Sequence, residues 1–293
     1  MLLTLGLATA LAGGCRDGQR MRAGPFGQPP VGAGSPTSVP AGCTCEHGGI
    51  LRGPRDRKRI ALVFTGGGHG ESTPVILDEL RARNIKASFF VTGDYLRQPV
   101  HQPYLRRMIV DGHDLGPHSD AHLLYCAWED RRRTLITHDQ FDADLTRNID
   151  DLVATGVPRA AIRFFIPPFE WYNETIVGWA AQRGLVLISF TPGTRSNADY
   201  LPDADPRFVS SQAIYRGILD REAREPDGLN GFLLLLHLGT GPRRTDKMHR
   251  FLGRLLDDLT GRGYAFVRVD ELLGLVANEV TTSQPPAGPA PSD

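Results

Sequence analysis

Seven short apolar runs, each followed by a helical pattern, recur between residues 59 and 277, and this alternation restricts the fold more than any other feature of the chain. The runs are Arg59–Thr65, Ala87–Thr92, a brief one at Asp114–Gly116, Arg163–Ile166, Leu185–Ser189, Gly231–Leu236 and Ala265–Val269. Each is too short for a helix and carries no polar alternation, as expected of strands buried on both faces. Between them lie helical patterns. Ser72-Thr73-Pro74 opens one that Val75, Leu77 and Leu80 carry to Arg83, and Phe141, Leu145, Ile149 and Leu152 recur at helical spacing in another. Further helices are expected over 103–111, 173–183, 211–224 and 246–261, with a last short one reaching Ala277. Strict alternation implies parallel strands joined by crossover helices. In such folds ligands bind at the carboxyl ends of the strands.

The ends of the chain have a different composition. Residues 1–15 hold an apolar, small-residue run, Leu2–Gly14, too short to span a bilayer, closed by Ala12-Gly13-Gly14-Cys15. It reads as an export signal with a lipobox-like end and Cys15 as the acylated residue. That implies an exported protein facing the periplasm or cell exterior, with the membrane touched only through a lipid anchor. Residues 16–48 are rich in Gly, Pro and Ser and read as a flexible tether. Residues 281–293 read as a disordered tail, which leaves 49–280 as a single domain. Lys+Arg and Asp+Glu both number 33, and this balance argues against nucleic acid or an anionic membrane surface as the main partner. Cys43 and Cys45 stand too close together for an easy mutual disulfide, and either one pairing with Cys126 is left open.

Chemistry gathers where the runs end. Gly66-Gly67-Gly68-His69-Gly70-Glu71 follows the first, His118-Ser119-Asp120-Ala121-His122 the third, and Pro167-Pro168-Phe169-Glu170-Trp171-Tyr172 the fourth; the sixth runs into His237. Histidines and carboxylates from several runs are thus expected together at one rim. His118 and His122, four residues apart, share a face if they lie on a helical turn, so both imidazoles reach one ion. The glycine run is not a phosphate loop: no Lys precedes Ser72, and Glu71 stands where the last glycine of GxGxxG belongs.

With these residues in order, the stretch from about 58 to 272 resembles the polysaccharide deacetylase family, the NodB-homology or carbohydrate esterase family 4 fold. Ile60–Phe64 and Ala87–Gly93 resemble its first two strands, Gly112–His122 its metal-binding motif, Pro167-Pro168-Phe169 its third motif and Leu233–His237 its last. The resemblance implies an α/β fold, a distorted seven-stranded (β/α) barrel. It also implies a divalent metal, usually zinc, held by two His and one Asp, and hydrolytic removal of acetyl groups from an N-acetylated saccharide.

The departures fall in two places. The family carries two adjacent aspartates after the first strand, one the general base and one the third metal ligand; here those positions read Thr65 and Gly66. The Arg that precedes the two prolines in the family is Ile166 here. One reading is a rebuilt site. His118 and His122 then hold zinc with a third ligand from the strand-one loop, His69 or else Glu71; Glu170 acts as base, Glu71 otherwise as base or supporting carboxylate, and His237 protonates the leaving amine or stabilises the oxyanion. The other is an inactive barrel that binds glycan, with Trp171, Tyr172 and Tyr200 stacking on sugar rings.

Overall fold

The computed structural model describes residues 39–275. Their elements run β1 (Thr44–Glu46), β2 (Gly49–Arg52), β3 (Arg59–Gly66), α1 (Thr73–Ala82), β4 (Ser88–Val91), α2 (Gly93–Arg97), α3 (Gln102–Val110), β5 (Asp114–Pro117) and α4 (His138–Ala154). The second half continues with β6 (Phe164–Phe165), α5 (Glu174–Gln182), β7 (Val186–Leu187), α6 (Ser211–Arg224), β8 (Phe232–His237), α7 (His249–Gly261), β9 (Ala265–Val267) and α8 (Val269–Leu272). All seven expected strands are present, and every pairing among them is parallel.

β3 is the axis of a curled sheet. β8 takes one of its edges over Ile60–Thr65. The other edge is divided between β9, at Arg59–Ala61, and β4, at Val63–Gly66, and β5 lies beyond β4. β6 and β7 pair only with each other. They meet the main sheet through single contacts: Ile166 N–H donates to Pro117 O at 3.4 Å, and Ile188 bridges Ile50. The ring of ladders is therefore interrupted on both sides of this pair. That is why the expected runs 163–166 and 185–189 yield only two-residue strands.

Side-chain parity separates two cores. On β3, Ile60, Leu62 and Phe64 join the large cluster under the helices, whereas Ala61 and Val63 join a smaller one inside the curl with Phe90, Phe164, Ile166, Leu233 and Leu235. Alternation along each strand then turns Thr65, His118, Ile166 and His237 toward the inside at the carboxyl ends.

One pair of strands escapes the sequence reading. β1 and β2 form an antiparallel hairpin across residue 48, where the tether was expected to end, and β2 pairs antiparallel with β8. Its two-residue turn is His47-Gly48, with φ 49° and 83°, the conformation that matches strand twist in tight hairpins. Without Asn-Gly or Asp-Gly, and with an exposed polar β1, the hairpin has no strong sequence signal. The apolar run, tether and lipobox of residues 1–38, the last residues of the expected final helix and the tail of 281–293 lie outside the described residues. Cys43, Cys45 and Cys126 are free thiols. Among the described residues no helix is long and apolar enough to cross a membrane.

The amino end of the curl is sealed by α8. Ser88 Oγ accepts from Val269 N–H at 3.0 Å and donates to Asp114 at 3.3 Å, while Arg268 lies 3.3 Å from Asp114 and 3.1 Å from Asp270. Burial first, then the Asp270 carboxylate, pushes the Asp114 carboxyl up to about 7. A carboxyl raised in the folded state contributes stability that is complete below its unfolded value near 4 and is lost as pH rises through 7. Asp114→Asn should therefore remove a pH-dependent loss. Between pH 6 and 8 the melting temperature of the variant should fall less than that of the parent, with a difference below about 1.4 kcal/mol per pH unit. Parallel pH profiles for the two proteins would refute this.

Candidate active site

His118 follows β5 directly. Its N–H is held by Asn148 Oδ1 at 2.9 Å, and its Nδ1 lies 2.8 Å from Ile166 O. A carbonyl only accepts, so Nδ1 carries the proton and Nε2 is left with a free lone pair. His122 meets His118 edge to face, with ring centroids 5.0 Å apart. The segment between them is not a helical turn. Ser119 and His122 adopt left-handed backbone, φ 72° and 53°, and the Asp144 carboxylate accepts from the N–H groups of Asp120 and Ala121 at 3.1 and 2.9 Å. α4 thus folds the loop: Asp144 and Asn148, one turn apart, are both fully buried. Burial, then the neighbouring imidazoles, keeps both rings neutral: His118 is well below its ordinary value and His122 is near 4.

His237 ends β8. Its Nδ1 is 2.6 Å from Asp199 Oδ1, and its N–H donates to Asp199 Oδ2 at 3.0 Å. Burial works to lower the His237 pKa, but the charge and hydrogen bond of Asp199, aided by Glu170, outweigh it and leave the value above that of a free imidazole. Glu170 completes the group. Burial pushes its carboxyl up to about 7, the positive imidazole of His237 opposes this, and Asp199 adds to it. Phe169 and Glu170 both have left-handed backbone, φ 59° and 53°. Two adjacent non-glycine residues in this region cost about 1–2 kcal/mol each. That strain is retained next to the site, where the half-buried Glu170 carboxyl and the His237 imidazole act on each other through their charges. Asp199, which sequence reasoning missed, lies on an irregular segment with no motif around it.

The remaining expected residues lie elsewhere or have other partners. Glu71 bonds Lys247 Nζ at 2.5 Å and accepts from Thr240 N–H at 3.0 Å; although burial would raise its pKa, these bonds bring it down to about 2. His69 is exposed, with its ring against Gly241. Both therefore belong to the β8–α7 loop contact, and the structure does not bring them together with His118 and His122. Tyr172 is buried, its ring against Gly49 and its hydroxyl donating to Glu46 O at 3.1 Å, so it packs the hairpin and offers no face to a sugar. Trp171 is half-buried under the Arg131 guanidinium, 3.6 Å from the ring centroid. Tyr200 is exposed, its ring centroid 5.0 Å from that of His237.

The metal expected from the resemblance finds two of its donors. The His118 tautomer is the one a metal ligand takes, since its other nitrogen donates to a carbonyl. A zinc site normally takes at least three protein donors. Among the described residues no group of three His, Cys, Asp or Glu is arranged to hold an ion. A Cβ on Gly66 would point away from the pair, to 2.9 Å from Leu238 and 3.0 Å from Tyr95 in the outer core. The donor set is therefore incomplete. Glu71→Ala should leave zinc titration of the histidine pair unchanged while loosening the β8–α7 loop by no more than about 1 kcal/mol in urea unfolding. A variant that loses zinc affinity would return Glu71 to the site.

Comparison with known proteins agrees with the fold. The family model described as polysaccharide deacetylase matches residues 52–188. A peptidoglycan-N-acetylglucosamine deacetylase of Bacillus cereus is 25% identical over 221 residues, 75% of this chain and 70% of that protein. A chitooligosaccharide deacetylase of Sinorhizobium fredii is 26% identical over 215 residues, 70% of this chain and 87% of that protein. Among solved structures, the wild-type CE4-family pseudoenzyme BA3943 of Bacillus anthracis superposes with a TM-score of 0.61 at 18% identity, covering 79% of this chain and 70% of that one. Bacillus subtilis PdaA, a family 4 carbohydrate esterase, superposes with a TM-score of 0.61 at 21% identity, covering 78% and 86%.

Proposed function

We propose that this chain, whose residues 52–188 match the polysaccharide deacetylase family, hydrolyses the acetamide of an N-acetylated saccharide at the cell envelope. The observation that carries this reading is His237, held 2.6 Å from Asp199 beside the histidine pair and above its ordinary value, with the ionisable Glu170 carboxyl near 7 in the same cluster of charges. Such a pair is poised for both halves of amide hydrolysis near neutral pH. Ionised Glu170 takes the proton of the attacking water. Protonated His237, its Nδ1–H tied to Asp199, offers Nε2–H first to the developing oxyanion and then to the leaving nitrogen. Because the donor set is incomplete, no step is assigned to a metal.

The missing third donor favours a second reading, a barrel that binds the glycan without cleaving it. Acetate release from N-acetylglucosamine oligomers, together with calorimetric binding of the same oligomers, separates the two. Hydrolysis supports the enzyme, and binding without acetate supports the binder. The envelope location rests on the Leu2–Cys15 run. Cys15→Ser should move the protein from the membrane fraction to the soluble one, and unchanged membrane association would argue against the anchor.

A further inference from the structure

Three large aromatic side chains are exposed among the described residues: Trp128 at 56%, Phe169 at 43% and Tyr200 at 46%. All three stand at the mouth of the site. Phe169 packs on His122 with centroids 4.4 Å apart, Trp128 packs on Phe169 at 5.5 Å, and Tyr200 lies over His237 on the other side. Exposed aromatic area is unfavourable in water, so its concentration at one rim calls for a partner.

The Trp128 wall is also built to be rigid. Its loop is a small hairpin closed by the Cys126–Thr134 bridge and by Ala127 N–H donating to Arg133 O at 3.0 Å. Trp171 supports it from beneath, donating Nε1–H to Ala127 O at 3.2 Å with its ring 5.4 Å from that of Trp128. Phe169 is held on left-handed backbone, which for a bulky residue is strain kept in order to display the ring. A preorganised aromatic surface binds without the ordering cost of a mobile one.

We propose that Trp128 and Phe169 form a subsite for a sugar ring next to the one whose acetamide reaches Glu170 and His237, and that its occupant is a β-linked pyranose with equatorial substituents. The identification of the reacting ring rests on the deacetylase reading; the platform itself does not. A pyranose of that configuration presents its axial C–H bonds as one apolar face, which stacks flat on an aromatic ring, while its hydroxyls stay in water at the edge. Continuity between Phe169 and His122 places this second ring beside the first, so the preferred ligand is a chain of at least two sugars.

The test uses the full chain in the Glu170→Gln background, so that turnover does not obscure binding. It is titrated with N-acetylglucosamine, its β-1,4-linked pentamer and an α-linked glucan pentamer, by calorimetry and tryptophan fluorescence. The pentamer of N-acetylglucosamine is expected to bind at least tenfold tighter than the monomer and the α-linked chain. Trp128→Ala should remove that advantage and leave monomer binding unchanged, and Trp128→Phe should retain most of it. Equal pentamer affinity in Trp128→Ala, or no preference for the pentamer in the parent, overturns the platform. Acetate release by the parent chain is scored separately: a platform that binds in a chain releasing no acetate removes the deacetylase reading and leaves this one standing.

Discussion

Glu170→Gln is expected to lower acetate release from N-acetylated oligomers by about 10²–10⁴-fold, the range that a positioned acid–base group contributes. The carboxyl is half-buried within reach of the charge of His237, and the other carboxylates at the rim are already engaged. Asp199 is committed through both oxygens to His237, and Glu71 to Lys247 and Thr240. The pH profile gives a second, sharper readout. Glu170 must be ionised to act as base, so activity should rise with pH through about 7. His237 must be protonated to act as acid. Its pKa lies above the ordinary histidine value, so the alkaline limb should begin above that value. The acidic limb should vanish in Glu170→Gln while the alkaline limb persists in the residual rate. Full activity in the variant with both limbs intact would show that another group is the base.

Gly66→Asp is expected to unfold more readily than the parent by roughly 3–5 kcal/mol and to gain no metal affinity. By the family pattern this substitution restores the third ligand, but the strand presents the position differently. A Cβ there meets Leu238 at 2.9 Å, Tyr95 at 3.0 Å and Val91 at 3.2 Å, all in the outer core, so the carboxylate would be driven into apolar surroundings without a counter-charge. Thr65→Asp is the contrasting substitution. Thr65 lies on the inner parity of β3, in register with His237, and its Oγ1 is buried with no hydrogen-bond partner. A carboxylate there has the imidazolium of His237 beside it, and the orphaned hydroxyl, a cost of about 1–3 kcal/mol, is removed. Thr65→Asp should therefore stay within about 2 kcal/mol of the parent in urea unfolding and recover part of the rate lost in Glu170→Gln. If Gly66→Asp folds as stably as the parent and takes up zinc, the outward orientation of that position is wrong.

What the sequence determined by itself follows from periodicity. Buried parallel strands leave continuous apolar runs, and such runs are visible in one dimension, so all seven strands and the placing of His118, Glu170 and His237 after them were legible. Which side chains face the inside was not legible, because runs buried on both faces carry no polar alternation; the two cores separate only in the structure. What only the tertiary structure decided depends on directions that no spacing encodes. His118 and His122 converge through left-handed residues pinned by Asp144 and Asn148 from α4, not through a helical turn. Glu71, two residues from His69 on the expected rim, is captured by Lys247 from 176 positions away. Tyr172, an expected sugar platform, fills the space over Gly49, while Trp128, in a loop without apolar period, joins Phe169 and Tyr200 as a ring open to solvent. Asp199 acquires its role only because the β7–α6 segment crosses the end of β8. In each case the deciding contact joins residues far apart in the chain. Its energy comes from burial and pairing that exist only after the strands have curled.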